Sequence, residues 1–175
     1  LQEWHITLDR FYGSWAGAMG QSQFMPSSFR AYAADGDGDG KKDIWQNQAD
    51  VFASIASYLQ QHGWQKDAPW GRQVMLPPGF DLSQASLTVL KPVPEWAAAG
   101  VRLPGGEPLK GHEALQGSII LPDGQEGGAF LVHENFRTLL KWNRSFYFAL
   151  AAASMADAMA SSEPVGSTDM PASRR

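Results

Sequence analysis

Residues 35–43 read Asp-Gly-Asp-Gly-Asp-Gly-Lys-Lys-Asp, and no other stretch limits the fold so strongly. Three glycines in six residues oppose a helix or strand there, because glycine has the most backbone freedom to lose. The three alternating carboxylates repel one another unless a cation gathers them. Asp35, Asp37, Asp39 and Asp43 fall at loop positions 1, 3, 5 and 9, and Gly40 falls at position 6, as in a calcium loop of the EF-hand type. Calcium takes about six to eight hard oxygen ligands, and alternate side chains on a curling backbone converge on one centre. The Lys41 carbonyl falls at position 7. Position 12 holds Gln46 where an EF-hand has a bidentate Glu, and the next carboxylate is Asp50. The spacing therefore predicts a longer loop, closed by Asp50 at the start of the following helix. A solvated acidic turn without metal is the alternative, and a calcium loop can be a structural staple as readily as part of an enzyme.

The chain divides around this loop into four parts: 1–63, 64–135, 136–160 and 161–175. After the loop, Asp50 is the expected cap of a helix with Phe52, Ile55, Ala56 and Leu59 on its apolar face. Gly63 stands where that helix should stop. Residues 64–135 hold most of the Pro and Gly. Short β-type runs lie at Gln73–Leu76, Leu87–Leu90, Ser118–Leu121 and Ala129–His133, with a helical turn at Glu95–Ala99. This reads as a small antiparallel sheet, too small to stand alone and so packed on the helical part. Helices return over Phe136–Trp142 and Ser145–Ala160, the second Ala-rich and packed through Phe146, Leu150, Met155 and Met159. The residues from Ser161 on form a Ser/Pro-rich linker or tail. The chain begins at Leu1 with no signal-peptide pattern and reads as a fragment or a processed product.

Composition excludes several classes. A formal charge of −4 with no run of Lys or Arg argues against nucleic-acid binding. The longest apolar stretch, around Phe146–Ala153, is too short to span a bilayer. Without Cys there are no disulfides, thiol nucleophiles or thiolate metal sites. His5, His62, His112 and His133 lack the spacing of a helical zinc site, and no dinucleotide or phosphate-loop pattern is present.

A second informative segment is GSWAGAMGQSQFMPSSF, Gly13–Phe29. Its glycines allow close backbone approach, and Ser14, Gln21 and Gln23 alternate with Trp15, Met19, Phe24 and Met25. Amides beside aromatic faces suit a sugar-binding groove, and a tight helix-packing segment fits the same composition. Pro26 followed by Ser27 and Ser28 suits a helix start.

The string GSWAGAMGQSQFMPSSFRAYA, then DGDGDGKKDIW, then ADVFASIASYL up to Gly63-Trp64, closely resembles the membrane-bound lytic murein transglycosylase B family (glycoside hydrolase family 103). PVPEWAAAGVR and FLVHENFRTLLKWNRSFYFALA extend the resemblance to about Met159. It implies an α+β chain: a lysozyme-like helical domain with an EF-hand-like loop and a small antiparallel β insert. It implies cleavage of the β-1,4 bond between N-acetylmuramic acid and N-acetylglucosamine in peptidoglycan, without water, leaving a 1,6-anhydromuramoyl end. One Glu serves as acid and then as base. The family's glycan contacts fall on Ser14, Gln23, Asn143 and Tyr147. Its calcium ligands fall on Asp35, Asp37, Asp39, the Lys41 carbonyl and Asp50. The expected partner is the peptidoglycan glycan strand. The expected location is the bacterial periplasm, with outer-membrane anchoring through residues ahead of Leu1. The family's catalytic Glu lies on a helix upstream of GSWAGAMGQ. None of Glu3, Glu95, Glu107, Glu113, Glu126, Glu134 and Glu163 stands in that context, so no catalytic residue is assigned within the chain. The alternative from another class is a non-catalytic glycan-binding or calcium-stapled module.

Overall fold

The computed structural model describes residues 6–161. The tail beyond Ser161, and with it Glu163, lies outside the described residues, as do Glu3 and His5.

The N-terminal part is mostly loop. Met19 and Phe24 exchange backbone hydrogen bonds of 2.8 and 3.0 Å, closing a tight turn over residues 20–23. Helix α1 (Pro26–Tyr32) starts with Pro26 in its first turn, where the missing N–H leaves no bond unmade. Helix α2 (Gln48–Gln61) follows the Asp-Gly loop, and Gly63 at φ +98° ends it in the left-handed region, as its position predicts.

Two details of α2 differ from the sequence reading. Asn47, not Asp50, is the cap, because its side chain accepts from the Ala49 N–H. Asp50 lies within the first turn, fully buried and facing the loop. The inward face is Val51, Ser54, Ile55 and Tyr58, while Phe52 is 67% exposed. Facing the Asp loop sets the rotation of the helix, and this overrides the apolar stripe.

The sheet is antiparallel, in the order β1 (Gly71–Val74), β4 (Ala129–Val132), β3 (Gln116–Ile120), β2 (Lys91–Pro92). Leu87–Leu90 is not a strand. It turns, with the Val89 N–H donating to the Ser86 carbonyl at 3.0 Å, and pairing passes to Lys91 and Pro92. Leu87 then packs on one side of the sheet and Val89 on the other. The short helix α3 (Val93–Ala98) begins two residues earlier than expected, with Pro94 tolerated in its first turn.

Both sheet faces are apolar, which is why the central strands carry near-continuous aliphatic runs instead of alternation. Val74, Ile119, Ala129 and Leu131 pack with Trp96, Val93 and Val101 on one face. Ile120 and Val132 pack with Phe136 and Leu139 of α4 (Glu134–Trp142) and Ala149 and Ala153 of α5 (Phe146–Ser161) on the other. The small sheet thus leans on helices. Met155 and Met159 of α5 point outward, at 64% and 70% exposure. Phe146 and Leu150 pack as expected beside the buried Ala149 and Ala153, and the face continues to Asp157, whose carboxylate accepts from Trp70 Nε1 at 2.8 Å.

Candidate functional site

The Asp-Gly loop is a cage of carboxylate-to-amide bonds. Asp35 accepts from Gly38 (2.7 Å), Asp39 (3.2 Å) and Gly40 (2.8 Å). The Gly40 amide bond is the largest of several that hold the Asp35 carboxyl below the usual carboxylate range. Gly38 and Gly40 both take positive φ, which lets the chain curl tightly enough to aim these amides inward. Asp50 bridges the ends of the loop: it accepts from the Gly36 N–H at 2.7 Å and from the Asp43 N–H at 2.6 Å. A Cβ on Gly36 would meet the Ala49 carbonyl oxygen at 2.3 Å, so only glycine allows the loop to lie against α2.

Of the six positions expected to hold calcium, the structure gathers the carboxylates of Asp35, Asp37 and Asp50, whose oxygens lie within 4.8 Å of one another. Three hard oxygen donors, one fully buried, fit a calcium ion in chemistry. Asp39 and Asp43 stand outside that group. Asp39 accepts from the Lys41 N–H at 2.8 Å, and Asp43 caps the following turn by accepting from Trp45 and Gln46 at 2.9 and 3.0 Å.

The turn that leaves the loop holds the tight turn before α1 in place. The Gln21 N–H donates to the Ile44 carbonyl (2.8 Å), and the Gln21 side-chain amide donates to the Trp45 carbonyl (2.9 Å). Gly20, at φ +62°, sits so close that a Cβ would meet the Ile44 oxygen at 2.5 Å. The Trp45 indole donates to the Tyr12 carbonyl at 2.7 Å. Met19, Phe24, Ile44 and Val51 form the small core beneath.

Above that core is a hollow of ≈ 290 Å³ lined by Ser22, Gln23, Phe24, Met25, Ser28, Tyr58, Trp142 and Asn143. Gln23 adopts φ +51°, unusual for a side chain that is not Gly or Asn, and donates through Nε2 to the Gly20 carbonyl at 2.9 Å. Asn143 caps α4 through its backbone N–H, which donates to the Leu139 carbonyl at 3.0 Å, and its Oδ1 accepts from the Ser145 N–H at 3.0 Å. Tyr58 fixes the end of α4 by donating to the Lys141 carbonyl at 2.9 Å. Phe24, Tyr58 and Trp142 are in mutual ring contact, with Tyr58 and Trp142 edge-on at 4.8 Å between centroids.

Of the four expected glycan contacts, Gln23 and Asn143 share this hollow; Ser14 and Tyr147 are not among its lining residues. Ser14 braces the preceding turn, accepting from the Ala18 N–H through Oγ at 3.1 Å. Tyr147 donates to Asp123 at 2.6 Å, and this bond is the main cause that pushes the phenol above its usual range. Ser22, Ser28, Tyr58 and Trp142 were not singled out by sequence reasoning. Tyr58 stands three residues after Ile55, which the sequence did place on the apolar face, and that spacing was the available signal. None of the lining residues is a Glu.

Comparison with known proteins follows the same outline. Residues 1–157 match the family described as the transglycosylase SLT domain. The chain is 35% identical over 154 residues to membrane-bound lytic murein transglycosylase B of Escherichia coli strain K12, covering 85% of this chain and 39% of that protein. It superposes on SltB3 from Pseudomonas aeruginosa, solved in complex with NAG-anhNAM-pentapeptide, with TM-score 0.87 and 45% identity over 95% of this chain and 46% of that one. Slt35 of Escherichia coli, solved in complex with calcium, matches at TM-score 0.66 and 33% identity, over 85% and 46% of the two chains. The chain thus spans less than half the length of these relatives. On the match over residues 1–157 and these identities, the chain belongs to the lytic transglycosylase family and has its lysozyme-like fold, helices with a small four-stranded antiparallel sheet.

Proposed function

We propose that this chain forms the glycan-holding part of a peptidoglycan lytic transglycosylase of the bacterial periplasm. One observation carries the reading: in a member of this family, Gln23 and Asn143 meet on one hollow walled by Tyr58 and Trp142. Aromatic edges and faces take the apolar C–H surface of a sugar, and the amides take its polar groups. Ser14 and Tyr147 act from beyond the hollow, on the neighbouring turn and at the start of α5. The lining comes from 22–28, 58 and 142–143 and skips the sheet, which supports reading 1–63 with 136–160 as one lobe and 64–135 as an insert.

The reaction is cleavage of the muramic acid–glucosamine bond. A Glu carried upstream of the GSWAGAMGQ segment protonates the departing glycosidic oxygen. It then takes the proton of the C6 hydroxyl as that oxygen closes on C1, giving the 1,6-anhydro ring. The residues present here hold and orient the sugar.

Calcium in the EF-hand-like loop is a structural part of the same reading. Asp35, Asp37 and Asp50 would hold the ion, with Asp39, Asp43 and the Lys41 carbonyl drawn in as the loop closes. The ion would offset the repulsion among these carboxylates. By fixing the turn at Ile44 and Trp45, it would steady the turn that carries Gln23.

The test is digestion of purified peptidoglycan with mass spectrometry of the products. This chain alone should release no 1,6-anhydro ends, and a form extended ahead of Leu1 to include the proposed Glu should release them. Gln23→Ala should weaken glycan binding about tenfold without unfolding the chain. The second reading, a non-catalytic glycan-binding or calcium-stapled module, is favoured by the absence of a Glu among the described residues that line the hollow. Glycan binding with no turnover from either form would select it.

A further inference from the structure

We propose that a recess on the 64–135 insert recognises a free amino-acid head, an ammonium and a carboxylate on one carbon, at the side-chain end of a peptidoglycan peptide stem; the source of the peptide rests on the reading above. The recess measures ≈ 320 Å³, and its lining includes Pro77, Phe80, Asp81, Gln84, Lys91 and Trp96. It shares no lining residue with the hollow that carries Gln23. It holds one anion and one cation, each fixed by something other than its opposite. Asp81 accepts from the Ser83 N–H at 3.0 Å and from Gln84 Nε2 at 3.4 Å. The Lys91 ammonium lies 4.7 Å from the centre of the Trp96 ring, whose face favours a cation, and its backbone is set by pairing with Gly117. Among the described residues the two form no ion pair with each other. Bonds from Ser83 chiefly hold the Asp81 carboxyl below its usual range, and Lys91 adds to this, so the two charges act on one space.

Two fixed opposite charges that do not neutralise each other select a ligand that brings both. A lone ammonium would meet Asp81 but also the repulsion of Lys91, and a lone carboxylate the reverse. An amino-acid head satisfies the two together, its ammonium donating to Asp81 and its carboxylate accepting from Lys91. Gly79, at φ +75°, leaves open space where a Cβ would stand, which keeps the wall clear. Pro77, Gly79 and Phe80 also border a second hollow of ≈ 520 Å³, whose lining residues carry no charge and include Val74, Leu76 and Leu121. That hollow suits the short aliphatic part of the same stem. A stem that accepts a cross-link on this head has its amine acylated and so loses the ammonium. The recess therefore distinguishes such stems from those whose head is free.

The experiment titrates the 175-residue chain by calorimetry with the peptide N-acetyl-Ala-γGlu-diaminopimelate. Its comparators are the same peptide acetylated on the diaminopimelate amine, the form amidated at the carboxylate beside that amine, and free diaminopimelate. The free-headed peptide should bind about tenfold more tightly than any of the three. Asp81→Asn should weaken the free-headed peptide about five- to tenfold and leave the amine-blocked peptide unchanged. Lys91→Gln should weaken it as much and leave the carboxylate-blocked peptide unchanged. Melting curves and binding of the peptide-free N-acetylglucosaminyl-anhydromuramyl disaccharide should match wild type in both variants. Equal affinity for free and blocked heads, free diaminopimelate binding as tightly as the peptide, or equal losses on free and blocked peptides in either variant would overturn the proposal. No peptide binding with the disaccharide still bound would overturn it alone and leave the glycan-holding reading standing. Peptide bound as described without the disaccharide would support the recess and overturn that reading, and loss of both ligands would overturn both.

Discussion

The Asp-Gly loop with its adjoining turn and the four-stranded sheet are held by different forces. Around the loop the fully buried apolar cluster is small, Met19, Phe24, Ile44 and Val51 with partly buried aromatic side chains packed against them, while carboxylates of Asp35, Asp37, Asp39, Asp43 and Asp50 each accept backbone amides. The sheet instead buries aliphatic and aromatic side chains on both faces. One region is specified by directional bonds to charge, the other by volume. Directional bonds can place a strained residue such as Gln23 beside a hollow, and they respond to ions. A packed sheet does neither, and its role is to brace α4, whose end carries Asn143.

The largest effect should come from the packed region. Trp96 is fully buried and donates to the Gly117 carbonyl at 2.9 Å, so Trp96→Ala should cost about 3–5 kcal/mol in urea unfolding. The calcium response of the loop should survive it. Loss of that response would show that the two regions are not separately specified. Next, Asp50→Ala leaves the Gly36 and Asp43 amides without their acceptor and should cost about 2–3 kcal/mol with calcium removed. Asp37, exposed, is the control: Asp37→Ala should change stability by less than about 1 kcal/mol under chelation. Calcium should raise the melting temperature of the wild type, by an amount set by its concentration relative to Kd, and of neither variant. Identical melting curves with calcium and with chelator would sink the metal reading.

The smallest effect distinguishes the regions by pH. His133 is 3% exposed, and burial first, then Arg72 and His112, hold its imidazole below its ordinary pKa, while its bond to the Gln116 carbonyl opposes this. The unfolded chain therefore takes up this proton more readily. The contribution of neutral His133 is complete above about pH 6.5 and falls as pH drops below it. Asp35 is shifted down as well, but as a carboxylate: its contribution is present above about pH 4 and is lost only below that. The sheet side should thus weaken first on acidification. Melting temperatures of the wild type and His133→Gln between pH 7 and pH 5 test this. Equal slopes would remove His133 as the cause.

Much of this was open to reading along the chain. The Asp-Gly alternation demanded a curled loop, Asp50 was the nearest carboxylate able to close it, and Gly63 marked the end of α2. Three strands were near their observed places, because aliphatic runs between Pro/Gly turns have few other outcomes. The misplaced strand at Leu87–Leu90 shows the limit: β-type residues there are drawn to both sides of the sheet, and the ladder begins at Lys91. The hollow was only half legible. Gln23 and Asn143 came from motifs, whereas Tyr58 and Trp142 joined them only through the crossing of α2 and α4.

Local chemistry settles what depends on neighbours in the chain: turns that only glycine can make, amides that a nearby carboxylate can reach, and helix stops. Folding in three dimensions decides what depends on distance along it. It rotates α2 so that Asp50 faces inward and Phe52 outward, makes small Ala149 and Ala153 the contact face of α5, and leaves Ser22 buried without a partner beside Asn143, 121 positions later in the numbering. Burial and adjacency of this kind are properties of packed elements, and no window of sequence contains them.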